Sequence, residues 1–179
     1  MSGMRIKCVW ITGLPCSGKT FYNNLISWEL RKRGLKVHQL DGEGIRNTYI
    51  SKGLGFGFED KRIHLLRVAE IVRILNQHNI VAVCSFVSPD RRIRWEVREM
   101  VDGGFVEIYL KCDVEECIKR DVKGLWDRAL KGEIKNWPGV DVEYEEGKPE
   151  IEIINNDESE IKNNVEKIME YLDNCLVME

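Results

Sequence analysis

The chain has 179 residues, 43% of them hydrophobic and 32% charged, with a formal net charge of −3. That balance fits one soluble domain with a sizeable core and excludes a general basic footprint for nucleic acid or an anionic membrane. Only a local cluster, Arg91, Arg92 and Arg94, is left to hold a phosphate on basic charge alone.

In chain order, Ile6 to Thr12 is an apolar, β-branched strand feeding a glycine-rich turn. A helix is expected from Thr20 to about Arg33, stopped by Gly34. Leu35 to Leu40 reads as a second strand ending at Asp41, and 42–58 as irregular, with a short helix around Ile45 to Tyr49. From Glu59 to Gln77 a helix should bury Ile63, Leu66, Val68, Ile71 and Leu75. "NIVAVCS" (79–85) suits a fully buried parallel strand, and Ser88-Pro-Asp90 opens another helix. A strand at 105–110, a helix at 113–120, a strand at 151–154 and a helix at 157–172 complete the pattern. The charged stretch 122–149 has few apolar residues to pin it and reads as a mobile lid or long loop. Strands alternating with helices make one α/β domain over 1–179, a parallel sheet covered on both faces.

Six cysteines stand singly at 8, 16, 84, 112, 117 and 175, without CxxC pairs or zinc spacing, and are expected as buried reduced thiols. No apolar run is long enough to cross a bilayer, and the N-terminal residues run into a strand without room for a signal peptide. A cytoplasmic location is therefore expected.

The most informative stretch is "ITGLPCSGKT" (11–20). Gly13-x-x-x-x-Gly18-Lys19-Thr20 fits the P-loop pattern, with a strand before and a helix after. Its glycines let the backbone of Gly13, Leu14, Pro15, Cys16, Ser17 and Gly18 wrap phosphates with N–H groups at a helix N-terminus. Lys19 should reach the β- and γ-phosphates of ATP, and the Thr20 hydroxyl should bind Mg2+. "VAVCS" lacks the strand-end acid common in ATPases and GTPases, and no Asn-Lys-x-Asp guanine signature is present. A small-molecule kinase with a basic lid over 120–135 is the class that remains.

Five segments in series resemble the adenylylsulfate kinase family over nearly the whole chain: "GLPCSGKT", "DGEGIR" (41–46), "LGFGFEDK" (54–61), "SPDR" (88–91) and "KRDVKGLWDRALKGEIKNWPGVDVEYEEGKPEI" (119–151). The resemblance implies a three-layer P-loop kinase fold with a central parallel sheet, flanking helices and a mobile lid with acceptor loop at about 120–149. It implies transfer of phosphate from ATP to the ribose 3′-hydroxyl of adenylylsulfate, with Mg2+, in a homodimer. Asp41 would orient the hydroxyl, accept its proton or hold metal-bound water, with a helix N-cap as the plainer role. Arg46 would grip the acceptor's phosphate–sulfate group, and Phe56 and Trp137 would sandwich its base. Lys123 would neutralise charge on the transferring group, Arg120 would pack near the ATP base, and Leu125 would line the acceptor site. Ser88 matches a serine beside the γ-phosphate; a plain N-cap explains it equally well.

The departures cluster on the acceptor side. Lys61 stands where the family has an arginine, His64 where it has an asparagine, Glu43 for an aspartate, Asp90 for a tyrosine and Leu66 for an arginine. Lysine keeps charge but not the two-pronged contact, and imidazole lacks the paired donor and acceptor of an amide. His64 therefore either touches the acceptor or is an ordinary surface helix residue. Three readings stay open: an adenylylsulfate kinase with a drifted pocket, a relative acting on another nucleotide such as cytidine diphosphoramidate, and a non-catalytic ATP-binding regulatory protein. No fused second catalytic domain such as an ATP sulfurylase is expected.

Overall fold

A computed structural model describes residues 6–177; residues 1–5, included in the N-terminal reading above, lie outside the described residues. Five strands, β1 (Cys8–Thr12), β2 (Val37–Asp41), β3 (Val81–Ser85), β4 (Phe105–Lys111) and β5 (Ile151–Ile154), form one sheet in the order β2-β3-β1-β4-β5. Every pairing is parallel. Buried β-branched runs such as CVWIT and VAVCS explain the central positions, since a strand covered on both faces has no place for alternating polar residues.

Seven α-helices lie among the described residues, α1 (Lys19–Lys32), α2 (Gly42–Arg46), α3 (Phe58–Gln77), α4 (Arg91–Val101), α5 (Val114–Lys119), α6 (Leu125–Leu130) and α7 (Ile161–Val177), of which α1 and α7 cover one face of the sheet and α3 and α4 the other. The pleat of β1 sends Val9 and Ile11 to one side, against Tyr22, Ile26 and Leu30 of α1 and Ile168 and Leu172 of α7. Cys8 and Trp10 face the other side, against Leu65, Val68 and Val72 of α3 and Ile93 and Val97 of α4. Trp10 is fully buried, stacked on Phe86 at 5.0 Å. Both cores therefore hang on the strand that carries the phosphate loop.

Several boundaries and faces differ from expectation. The short helix sits at 42–46, not 45–49, because Asp41 caps it through Glu43 N, and a 3-10 turn follows at Tyr49–Ser51. α3 buries His64, Leu65, Val68, Ala69 and Val72; Ile63 is exposed, and Leu66, Ile71 and Leu75 only flank the core. Asp90, not Ser88, caps α4, accepting from Ile93 N at 2.9 Å. The lid segment contains α6 and is not a bare loop: Trp126 within it is fully buried, correcting the reading that little apolar surface pins it. All six cysteines are free; four are buried, while Cys16 and Cys175 are half-buried.

Candidate active site

The P-loop leaves β1, whose connection runs to β2 on one side of the sheet while that of its neighbour β3 runs to β4 on the other, the switch point where open parallel sheets place ligands. Gly13 has φ +151°, and a Cβ there would meet the Leu110 carbonyl oxygen at 2.5 Å and Ser17 Oγ at 2.8 Å. Only glycine fits that turn. The loop ends at Gly18 in the left-handed region, at the N-terminus of α1, with no side-chain cap. Lys19 folds back over the loop, donating to the Leu14 carbonyl oxygen and, at 3.4 Å, to Ser17 Oγ. Burial pushes its ammonium down to about 8, so a phosphate would find a partly desolvated cation beside it.

Asp41 ends β2 beside Ser85, its register partner at the end of β3. Its Oδ2 accepts from Thr20 Oγ1 at 2.7 Å and from Ser85 Oγ at 2.8 Å, while Oδ1 accepts from Glu43 N at 3.0 Å. Capping a helix and holding Thr20 are therefore simultaneous roles of one carboxylate. Asp41 thus sets a carboxylate beside the end of the third strand, which carries none of its own.

Among the residues expected at the acceptor, Arg46 donates to the Gly55 carbonyl at 2.9 Å and lies 4.8 Å from the ring centroid of the exposed Phe56. Burial lowers the Arg46 pKa, and its charge in turn helps lower that of Lys61, after burial. Lys61 donates to the Asn136 carbonyl at 2.8 Å, and Asp141 accepts from the N–H groups of Asn136 and Trp137 at 2.8 and 2.6 Å. Lys61 thus ties the start of α3 to the turn that presents Trp137. The Trp137 Nε1 is a buried donor with no partner among the described residues.

His64 is buried, with Nδ1 2.9 Å from Ser51 Oγ and its ring edge-on to Phe86. Burial first, then the charges of Arg46 and Arg67, pull its pKa down to about 4, so it is neutral at pH 7. The surface-helix reading of His64 is thereby overturned.

The lid rests on a small third core. Trp126 packs with Leu14, Cys112 and Cys117, donates to the Pro15 carbonyl at 3.2 Å, and meets Trp137 edge-on at 5.8 Å. Gly139, at φ +92°, would drive a Cβ to 2.8 Å from the Trp126 ring, so the turn that carries Trp137 rides directly on Trp126. Leu125, half-buried, opens α6. Lys123 is paired with Glu43 at 2.5 Å, and Arg120 donates to the backbone carbonyls of Asn155 and Asn156 at 2.9 and 3.3 Å.

Ser88 is buried beneath this loop. Its hydroxyl accepts from Trp10 Nε1 at 3.1 Å and shares a 2.9 Å bond with Thr12, which also meets the Tyr144 hydroxyl at 2.7 Å. Arg94, 2% exposed, is held by Glu107 and donates to the carbonyls of Ser88, Glu145 and Glu146. Arg91 pairs with Glu145 and Arg92 with Glu96. Of the expected phosphate-binding arginine cluster, Arg94 is committed in the interior, where with Tyr144 it fastens the segment 144–146 to the end of β1, while Arg91 and Arg92 stay largely exposed. Thr12, Ser85 and Tyr144 carry no local motif that would have singled them out; each acts through a partner far away in sequence.

A five-stranded parallel sheet, a P-loop at its switch point and a lid docked over the loop define a P-loop kinase fold. The chain belongs to the adenylylsulphate kinase family, whose model matches residues 5–154. It is 39% identical over 174 residues to an adenylyl-sulfate kinase of Thermodesulfovibrio yellowstonii, covering 96% of this chain and 86% of that one. It is 41% identical over 165 residues to an adenylyl-sulfate kinase of a Picosynechococcus species, covering 92% of each. The Mycobacterium tuberculosis APS kinase structure in complex with AMPPNP and APS superposes with a TM-score of 0.86 at 26% identity, over 94% of this chain and 98% of that one.

Proposed function

We propose that this protein transfers the γ-phosphoryl group of ATP to the ribose 3′-hydroxyl of adenylylsulfate, giving 3′-phosphoadenylylsulfate. The observation that carries the reading is the junction at Asp41, where one carboxylate joins Thr20 of the phosphate loop to the start of the acceptor segment 42–56. Donor and acceptor sites then share a wall, as direct transfer between two bound nucleotides requires.

In this reading the cradle 13–20 holds the ATP phosphates and Lys19 neutralises them. Thr20 would hold Mg2+; its hard hydroxyl oxygen, with the Asp41 carboxylate 2.7 Å away, suits that cation. The metal when bound would screen phosphate charge. Asp41 orients the acceptor hydroxyl or metal-bound water. Arg46 and Lys61 supply positive charge to the anhydride tail, Phe56 and Trp137 stack on the base, and Leu125 and His64 line the acceptor side. Arg120 belongs to the ATP-base side. Lys123 exchanges its partner Glu43 for the transferring phosphoryl group. Ser88, enclosed by Trp10 and Thr12, serves to position its loop. The assembly proposed is a homodimer, the location cytoplasmic, and no helix among the described residues is long and apolar enough to cross a membrane.

The test is product mapping: with Mg2+ and ATP, adenylylsulfate should gain phosphate at the 3′ position. Phosphate release to water alone, with adenylylsulfate unchanged, would contradict the proposal.

A further inference from the structure

Asn155 follows β5 immediately and is 5% exposed. It lies one residue beyond the segment that the family model matches. Its Nδ2 donates to the Ser17 carbonyl oxygen at 2.8 Å, and its Oδ1 accepts from the Tyr22 hydroxyl at 3.1 Å. That hydroxyl in turn accepts from Asn164 Nδ2 of α7 at 3.1 Å. The backbone of Asn155 is fixed as well, its N–H bonded to the Lys111 carbonyl at 2.8 Å and its carbonyl to Arg120 at 2.9 Å. The side-chain amide can therefore neither rotate nor retreat, and its nitrogen must face Ser17, because a carbonyl only accepts.

The Ser17 carbonyl and the Gly18 N–H belong to one planar trans peptide, so they point in opposite directions. Holding the Ser17 oxygen against Asn155 turns the Gly18 N–H the other way. That N–H has no hydrogen-bond partner among the described residues, and it stands at the N-terminus of α1, where phosphate is expected. Gly18 itself allows the approach: at φ +98°, a Cβ would lie 2.7 Å from Asn155 Nδ2. We propose that Asn155 is a positioning residue for the phosphate cradle, fixing the Ser17–Gly18 peptide so that the Gly18 N–H is presented to a nucleotide polyphosphate before it binds. The inference rests on the nucleotide-binding reading given above.

Removing the amide leaves the Ser17 oxygen unpartnered and the peptide free to turn over, at the cost of one preorganised donor. Asn155→Ala should weaken ADP binding about tenfold, the scale of one buried hydrogen bond. Asn155→Asp, which sets a carboxylate against the Ser17 carbonyl, should weaken it at least as much. Tyr22→Phe, which frees Oδ1 and the Asn164 amide but leaves the Asn155 donor in place, should weaken it about threefold. Calorimetry with Mg2+ and ADP reads these values without any assumption about the acceptor. The Gly18 amide proton resonance reports the donor directly: it should move downfield on adding ADP to the wild type and much less in the variants. The KM for adenylylsulfate should stay within about twofold, because Asn155 does not touch the acceptor side.

A purely structural Asn155 would lower the melting temperature yet leave ADP affinity within about twofold in folded protein, and that result overturns the proposal. If Asn155→Ala does not fold, Tyr22→Phe decides, and unchanged ADP affinity there overturns it equally. Wild-type protein that binds no ADP overturns the nucleotide reading and this inference together. Normal wild-type binding with unaffected variants overturns this inference alone.

Discussion

Lowering the pH from neutrality toward 4 should destabilise this protein through His64. The imidazole is 3% exposed, held by Ser51 and packed edge-on against Phe86, with Arg46 and Arg67 adding unfavourable positive charge to its protonated form. The unfolded chain takes up the proton near 6.5, whereas the folded protein resists until about 4. Stability from the neutral ring is thus complete above 6.5 and is lost as pH falls through the window down to 4, because there the unfolded state binds the extra proton. At about 1.4 kcal/mol per pH unit, the loss reaches about 3 kcal/mol across the window. Carboxylates titrate in the same range, so the assay is a difference. Urea unfolding of wild type and His64→Asn is compared at several pH values; asparagine preserves a polar contact to Ser51 and does not titrate. The wild type should lose about 2–3 kcal/mol more than the variant between the two limits. Parallel stability curves would refute a buried neutral imidazole.

Asp41→Asn should cut turnover about a hundredfold or more while ADP binds within a few-fold of wild type; unchanged turnover would remove Asp41 from the chemistry. For Lys19, the free ammonium titrates at about 8, and a bound phosphate raises that value. ADP affinity should therefore be flat below pH 8, fall by up to about tenfold per pH unit above it, and be accompanied there by proton uptake, measurable calorimetrically in buffers of different ionisation heat. Trp126→Ala empties the small core beneath the lid and should cost about 3–5 kcal/mol, or expose 122–149 to protease if the lid detaches alone. Nucleotide should slow that cleavage in the wild type, and identical digestion with and without nucleotide would show that the lid does not respond.

The phosphate loop was legible because its signal is local: strand, glycines, lysine and helix follow one another within fifteen residues of sequence. The alternation of strands and helices was legible for the same reason, and it placed all five strands. Long-range partners decided what was misread. Nothing near Asp41 tells that Ser85 and Thr20 will share its Oδ2, since that depends on the β2–β3 register. Helical periodicity passed over His64 because an apolar count cannot foresee a Ser51 hydroxyl waiting for an imidazole. Arg94 looked available for phosphate with Arg91 and Arg92, but Glu107 from β4 holds it in the interior. The lid's charge hid its one fully buried tryptophan. Asn155 had no local signature at all; its role exists only where β5 ends beneath Ser17.

The central claim is tested most directly by offering the protein γ-labelled ATP and Mg2+ with adenylylsulfate and, separately at equal concentration, AMP, CMP and cytidine diphosphoramidate. Rapid labelling of adenylylsulfate at its 3′ position, with the others poor, is the predicted result and would mean that Lys61 and His64 are tolerated in its acceptor site. Labelling of a cytidine compound with adenylylsulfate inert would contradict the account and mark those two residues as the seat of a changed substrate.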